Sequence, residues 1–189
     1  MGNQKPKAAF IYIPGKLFIT QDEMLKIRNN IETLQMVNEI VVVSKYGAAS
    51  IDSTIKIVTA ENRNGFGKDL EKALSETQAD IILLSFDQKY LLDMDDDIFL
   101  KTINLLSKHL LIKLTTPIYS FTDEWSGLWL ITRQALEYFL QNNNKGIYSK
   151  KEFQGKLWAF IYKNTQDNHL AESVKNKILL KILDKTFLL

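Results

Sequence analysis

The sequence predicts an α/β chain in three layers around a mostly parallel central sheet. Two observations predict it. Short apolar runs occur without alternation, and segments with helical spacing separate them. The runs are Ala8–Ile13, Glu39–Val43, Ile55–Val58 and Asp80–Ser85. A strand with one wet face alternates apolar and polar residues. A continuously apolar strand is covered on both faces, and crossover helices on a parallel sheet provide that cover.

The elements follow in order. After a polar Met1–Lys7, the first strand leads to Gln21–Leu34, where Met24, Ile27, Ile31 and Leu34 recur at helical spacing. Thr20 stands before this helix and Glu23 three residues later, the pattern of a capping box. The second and third strands precede Phe66–Glu76, with Leu70, Ala73 and Leu74 on one face. The fourth strand precedes Asp95–Leu106, whose acidic start suits the positive end of a helix dipole. Pro117–Phe121 and Leu128–Ile131 read as further strands, with a loop from Asp123 to Gly127 between them. Arg133–Leu140 reads as a helix, Asn142–Gly146 as a polar turn, and Phe153–Tyr162 as an aromatic-rich helix. This succession of strands and helices is that of a Rossmann-like sandwich.

At 189 residues the chain suits one domain rather than two. A net charge of +2 gives no nucleic-acid footprint. The absence of cysteine excludes a disulfide framework, a zinc–thiolate site and a cysteine nucleophile. Ala8–Ile13 is too short for a signal-peptide core, and no apolar stretch reaches the roughly 18 residues of a membrane span. A cytoplasmic protein is therefore expected. Val174–Leu189 interleaves lysines with Ile178, Leu179, Ile182, Leu183 and Phe187. Such a helix packs on its own domain or lies against a membrane surface as a peripheral contact.

Ligands of open α/β sheets bind outside the carboxyl ends of the strands, so the strand ends hold the candidate residues. The first strand ends in Ile13-Pro14-Gly15 and the second in Val43-Ser44-Lys45. Asn62, Gly65 and Lys68 lie in a glycine-containing turn that opens a helix. Backbone N–H groups at such a turn can hold phosphate, and ordinary helix capping explains the pattern equally. The fourth strand runs from Ala79-Asp80 to Ser85-Phe86-Asp87-Gln88. Ser126-Gly127 leads a strand that ends in Thr132-Arg133. Asp93–Asp97 holds four acids but lacks the spacing and glycine of a calcium loop, so it reads as a helix start. His109 and His169 are the only histidines and show no metal spacing, and no Gly-x-Ser-x-Gly elbow is present.

In order and approximate spacing, roughly residues 8–160 resemble the family 2 glycosyltransferases and other GT-A enzymes, within the nucleotide-diphospho-sugar transferase superfamily. The resemblance implies a GT-A sandwich in a single domain. Its nucleotide-binding half would be 8–113, its acceptor-side half 114–165, and 166–189 would form a C-terminal helix. It implies a nucleotide-sugar donor, a glycan or lipid acceptor, and Mn or Mg as cofactor. Pro14, Ser44, Asn62, Gly65 and Lys68 would hold the nucleotide, and Asp87 the metal. Asp123, Glu124 or Glu152 would act near the acceptor. Arg133 would face the diphosphate or support the sheet. The chain departs from the family at three points. Ser44 stands where an aspartate contacts the base, Ser85-Phe86-Asp87 replaces Asp-x-Asp, and Glu152-Phe153 replaces the late acidic pair. These departures raise the alternative of a GT-A-like module that binds without turnover. A nucleotidyltransferase shares the architecture, but of its glycine-rich basic first loop only Gly15 and Lys16 are present.

Overall fold

A computed structural model of the chain describes residues 7–48, 53–60, 65–86, 111–114, 128–143, 147–153, 155–157 and 159. The strands are β1 (Ala8–Tyr12), β2 (Val37–Ser44), β3 (Ile55–Thr59), β4 (Ile81–Ser85), β5 (Leu111–Leu114) and β6 (Leu128–Thr132). The helices are α1 (Gln21–Glu32), α2 (Gly65–Ser75) and, after β6, α3 (Arg133–Asn143). Residues 150–153, 155–157 and 159 are also helical. The expected helix Asp95–Leu106, the strand Pro117–Phe121 and the helix Val174–Leu189 lie outside the described residues.

The sheet order is β3-β2-β1-β4-β6-β5. β1 pairs in parallel with β2 and β4, and β2 with β3. β6 is antiparallel to both β4 and β5. The sheet is therefore mostly parallel, as expected, with β6 the one reversed strand among those described.

Every residue of β1 and β4 is buried, which accounts for the lack of alternation in those runs. Successive side chains of a strand point to opposite faces, so each strand feeds two cores. Phe10 and Tyr12 join Val42 and Leu83 on one face, where α1 adds Met24, Ile27 and Ile31. Ile11, Val41, Leu84 and Trp129 face the other way, toward Leu70 and Leu74 of α2 and Leu136 and Phe139 of α3. Full burial of such side chains contributes about 1.5–3 kcal/mol each. The sheet is therefore buried between two hydrophobic cores.

α1 begins where the sequence places it. Thr20 Oγ1 accepts from the Glu23 N–H, and the Glu23 carboxylate accepts from the Thr20 N–H at 3.1 Å. This reciprocal pair satisfies two of the helix's otherwise orphaned donors. β5 is an element the sequence reading leaves unassigned. Four apolar-leaning residues after a helical pattern fit helix and strand equally by periodicity.

Candidate functional site

The chain leaves β1 for α1 on one face and leaves β3 for α2 on the other. Connections that diverge in this way open a crevice at the carboxyl edge of the sheet. That edge is built from the turns after β1 and β2. Ile13 N–H donates to the Ser85 carbonyl at 3.0 Å, one residue past the end of β1, and Pro14 follows with no N–H of its own. Gly15 then turns at φ 71° and Gly47 at φ 90°. Between them the two turns run side by side. Tyr46 N–H donates to the Leu17 carbonyl at 2.7 Å, and Ile19 bridges Ala48 in parallel. Leu17, Phe18 and Tyr46 stand exposed here, at 55%, 50% and 68% of their surface, although apolar side chains of this size are usually covered.

The expected site residues divide among several places. Pro14 ends β1 at this edge. Ser44 is buried and its hydroxyl donates to the Gly47 carbonyl, so it shapes its own turn. Gly65 opens α2 at φ 76°, and a Cβ there would meet the Ile147 carbonyl at 2.9 Å. The Gly67 N–H donates to that same carbonyl at 3.0 Å. One donor of the α2 N-terminus is therefore capped by residue 147 rather than offered to a phosphate. Lys68 is exposed and pairs with Glu71 at 2.6 Å. Asn62, Asp87, Asp123 and Glu124 lie outside the described residues. Among the described residues, no group of three or more histidines and carboxylates is arranged to hold a metal ion.

Glu152 is a capping residue. Its carboxylate accepts from the Tyr148 N–H at 2.7 Å and the Ser149 N–H at 2.9 Å, while Ser149 Oγ accepts from the Glu152 N–H. The Tyr148 hydrogen bond, with help from Ser149 and Lys156, holds the carboxyl below its ordinary value against a smaller opposing effect of desolvation.

Arg133 takes the second of its two expected roles. Its guanidinium donates to the Thr77 carbonyl at 2.7 Å and the Leu74 carbonyl at 3.0 Å, and pairs with Glu137 at 2.7 Å. Thr132 is in register with Ile81, the first residue of β4. Arg133, one residue beyond, is therefore about 16 Å from the carboxyl edge, at roughly 3.3 Å of rise per strand residue. The reversal of β6 is the cause. In a parallel strand the residue after Thr132 would lie at the carboxyl edge; in this antiparallel one it lies at the amino edge. The expectation that Arg133 faces a diphosphate there is corrected accordingly.

The sequence reading passes over one cluster at the carboxyl end of β4. The Phe66, Phe86, Phe139 and Phe153 rings pack together, with Phe153 at 5.3 Å from Phe66, 5.8 Å from Phe86 and 5.5 Å from Phe139. Lys150 Nζ lies over the Phe86 ring, 5.6 Å from its centre. These residues are scattered along the chain, so no spacing rule could have grouped them.

No protein-family model and no curated protein matches the chain. Solved structures do. The bifunctional IspDF of Campylobacter jejuni superposes with a TM-score of 0.53 at 14% identity, over 81% of this chain and 47% of that one. A cytidylyltransferase from Leptospira borgpetersenii gives 0.51 at 9% identity, over 86% and 74%. The 4-diphosphocytidyl-2C-methyl-D-erythritol synthase of Anaerococcus prevotii gives 0.50 at 13% identity, over 72% and 74%. The chain thus spans just under half the length of IspDF. What the chain shares with these proteins is their α/β fold.

Proposed function

We propose that the chain binds a nucleotide-diphosphate sugar at the carboxyl edge of β1 to β4 and transfers the sugar to a glycan or lipid acceptor. The observation that carries this is the divergence of the β1 and β3 exits above an edge formed by turns at Pro14-Gly15 and Ser44–Gly47. Pro14, Asn62 and Gly65 border the nucleotide. The backbone of the Ser44 turn lies beneath the base, and Lys68 lends charge from its place beside Glu71. Asp87, with oxygens of the diphosphate, holds a divalent cation, which offsets the charge of the leaving group. A carboxylate held below its usual pKa is a weaker base. The acceptor role therefore falls to Asp123 or Glu124 ahead of Glu152.

A second reading is nucleotidyl transfer, favoured by the cytidylyltransferases among the structural neighbours. Against it, Lys16, the basic residue of the first loop, is engaged by Glu23. The test is thermal unfolding of the chain with UDP-, GDP-, CMP- and dTDP-sugars and with the four nucleoside triphosphates, each with and without Mn. A ligand that binds only the folded state raises its melting temperature. Stabilisation by one sugar nucleotide, with transfer of its sugar to an acceptor, release of free nucleoside diphosphate (CMP from a CMP-sugar) and loss of turnover in Asp87→Ala, supports the first reading. Pyrophosphate release from a triphosphate selects the second. No stabilisation by any of these ligands rejects both.

A further inference from the structure

Residues 147–153 cross the start of α2 and the carboxyl end of β4 and are anchored at both ends. At one end the Ile147 carbonyl accepts from the Gly67 N–H, and at the other Phe153 is buried among three aromatic rings. Lys150 stands between the anchors, the first helical residue after the Ser149 cap. Its ammonium lies over the ring of Phe86, which is almost fully buried at the end of β4. A ring face attracts a cation but accepts no conventional hydrogen bond, so this contact fixes the ammonium without using its three donors.

Several other cations near the sheet ends are engaged, whereas Lys45, after β2, stands exposed. Lys16 pairs with Glu23, Lys68 with Glu71, and Arg133 with Glu137 and two carbonyls. Lys150 has no carboxylate within ion-pair distance among the described residues. Glu152, the acid nearest in sequence, is turned back onto the Tyr148 and Ser149 N–H groups. A half-buried cation with no anion among the described residues is a place where an anionic ligand gains more than it would in water. Asp87 follows Phe86 directly in the chain, and Ser85 stands where a second acid would complete a metal motif. With one acid fewer to hold a cation, more of a diphosphate's charge is left for side chains to meet.

We propose that Lys150 binds a phosphate group of the nucleotide donor at the carboxyl end of β4. This rests on the nucleotide-binding reading above. The test is calorimetric titration of the full chain and its variants with UDP, CDP, GDP and dTDP, in EDTA and in Mn, with the matching nucleosides as phosphate-free controls. Loss of one charge-assisted contact weakens binding by about tenfold to a hundredfold. Lys150→Gln should therefore lose this much affinity for the diphosphate that binds, in EDTA as well as in Mn. It should bind the nucleoside unchanged, and Lys150→Arg should recover most of the loss. Melting of the unliganded variants checks that they fold. Equal diphosphate affinity in wild type and Lys150→Gln overturns the assignment while leaving the nucleotide reading intact. So does an equal loss for nucleoside and diphosphate, which would make Lys150 a packing residue. Failure of the wild-type chain to bind any of the four rejects the nucleotide reading and this assignment together.

Discussion

The two ends of the sheet are built differently. At the amino edge, backbone groups are tied across elements. Ala8 N–H donates to Met36, Asp80 N–H to Lys7 and Arg133 N–H to Asp80, while the Arg133 side chain reaches the last carbonyls of α2 and its following turn. The hydroxyl oxygen of buried Thr77 accepts from the Ala79 N–H at 3.1 Å. At the carboxyl edge, two turns at positive φ carry exposed Leu17, Phe18 and Tyr46, and their mutual bonds are to backbone. Polar groups spent on the fold at the amino edge are unavailable for ligands there, whereas the carboxyl edge keeps exposed side chains among its tied groups. On the proposed function, the fold would thus separate stability from binding along the strand axis.

The sharpest way to break this comparison is Arg133→Ala. The substitution removes charge-assisted bonds to two carbonyls at the α2 C-terminus, which should cost about 2–3 kcal/mol of unfolding free energy. Urea titration followed by circular dichroism measures it. Arg133→Lys should recover only part, because one ammonium does not reproduce the planar fork that serves Leu74 and Thr77 together. Nucleotide affinity should be unchanged in both variants. Unchanged stability with lost affinity would place Arg133 in the binding machinery and reverse the comparison.

Arg133 also shows where sequence reading stops. β1 and β4 were legible because burial on both faces leaves a continuous apolar run, and α1 because its capping box is local. Strand direction is not local. Leu128–Thr132 reads the same whichever way it runs, yet its direction moves Arg133 from one edge of the sheet to the other. Ser44 reads as a strand end from sequence, but its partner, the Gly47 carbonyl, follows from a turn that forms only with the positive φ of Gly47. Lys150 and Phe86 meet through the packing of four aromatic rings from separate elements, which no spacing announces.

A second prediction sharpens the comparison at the start of α1, on the open edge. Partial burial raises the Glu23 carboxyl, but hydrogen bonds from Lys16 and from the Thr20 backbone outweigh it, and the net shift is downward from 4.5. A carboxylate with a lowered folded-state pKa stabilises the fold above its unfolded value. That contribution is lost as pH falls through the folded value. Glu23→Gln should therefore melt below wild type at pH 7, and the gap should close as pH is lowered beneath 4.5. Thr20→Ala should cost about 1 kcal/mol through the same cap. A gap in Glu23→Gln that stays constant with pH would mean that shape rather than charge holds this corner.

The smallest effect belongs to the exposed turn itself. Leu17→Ser and Tyr46→Ser remove side chains that stand mostly in solvent, while the bond from the Tyr46 N–H to the Leu17 carbonyl is backbone and survives both changes. Substitutions of this kind usually stay within about 0.5 kcal/mol of wild type. Each variant should therefore melt close to the unaltered chain, in contrast to Arg133→Ala. A loss as large as that of Arg133→Ala would mean that Leu17 and Tyr46 are structural, and the two edges would no longer differ in kind. Unchanged melting together with weaker nucleotide binding would assign these side chains to the ligand, because a residue that costs the fold nothing when removed can lower affinity only through contact with, or shaping of, the bound state.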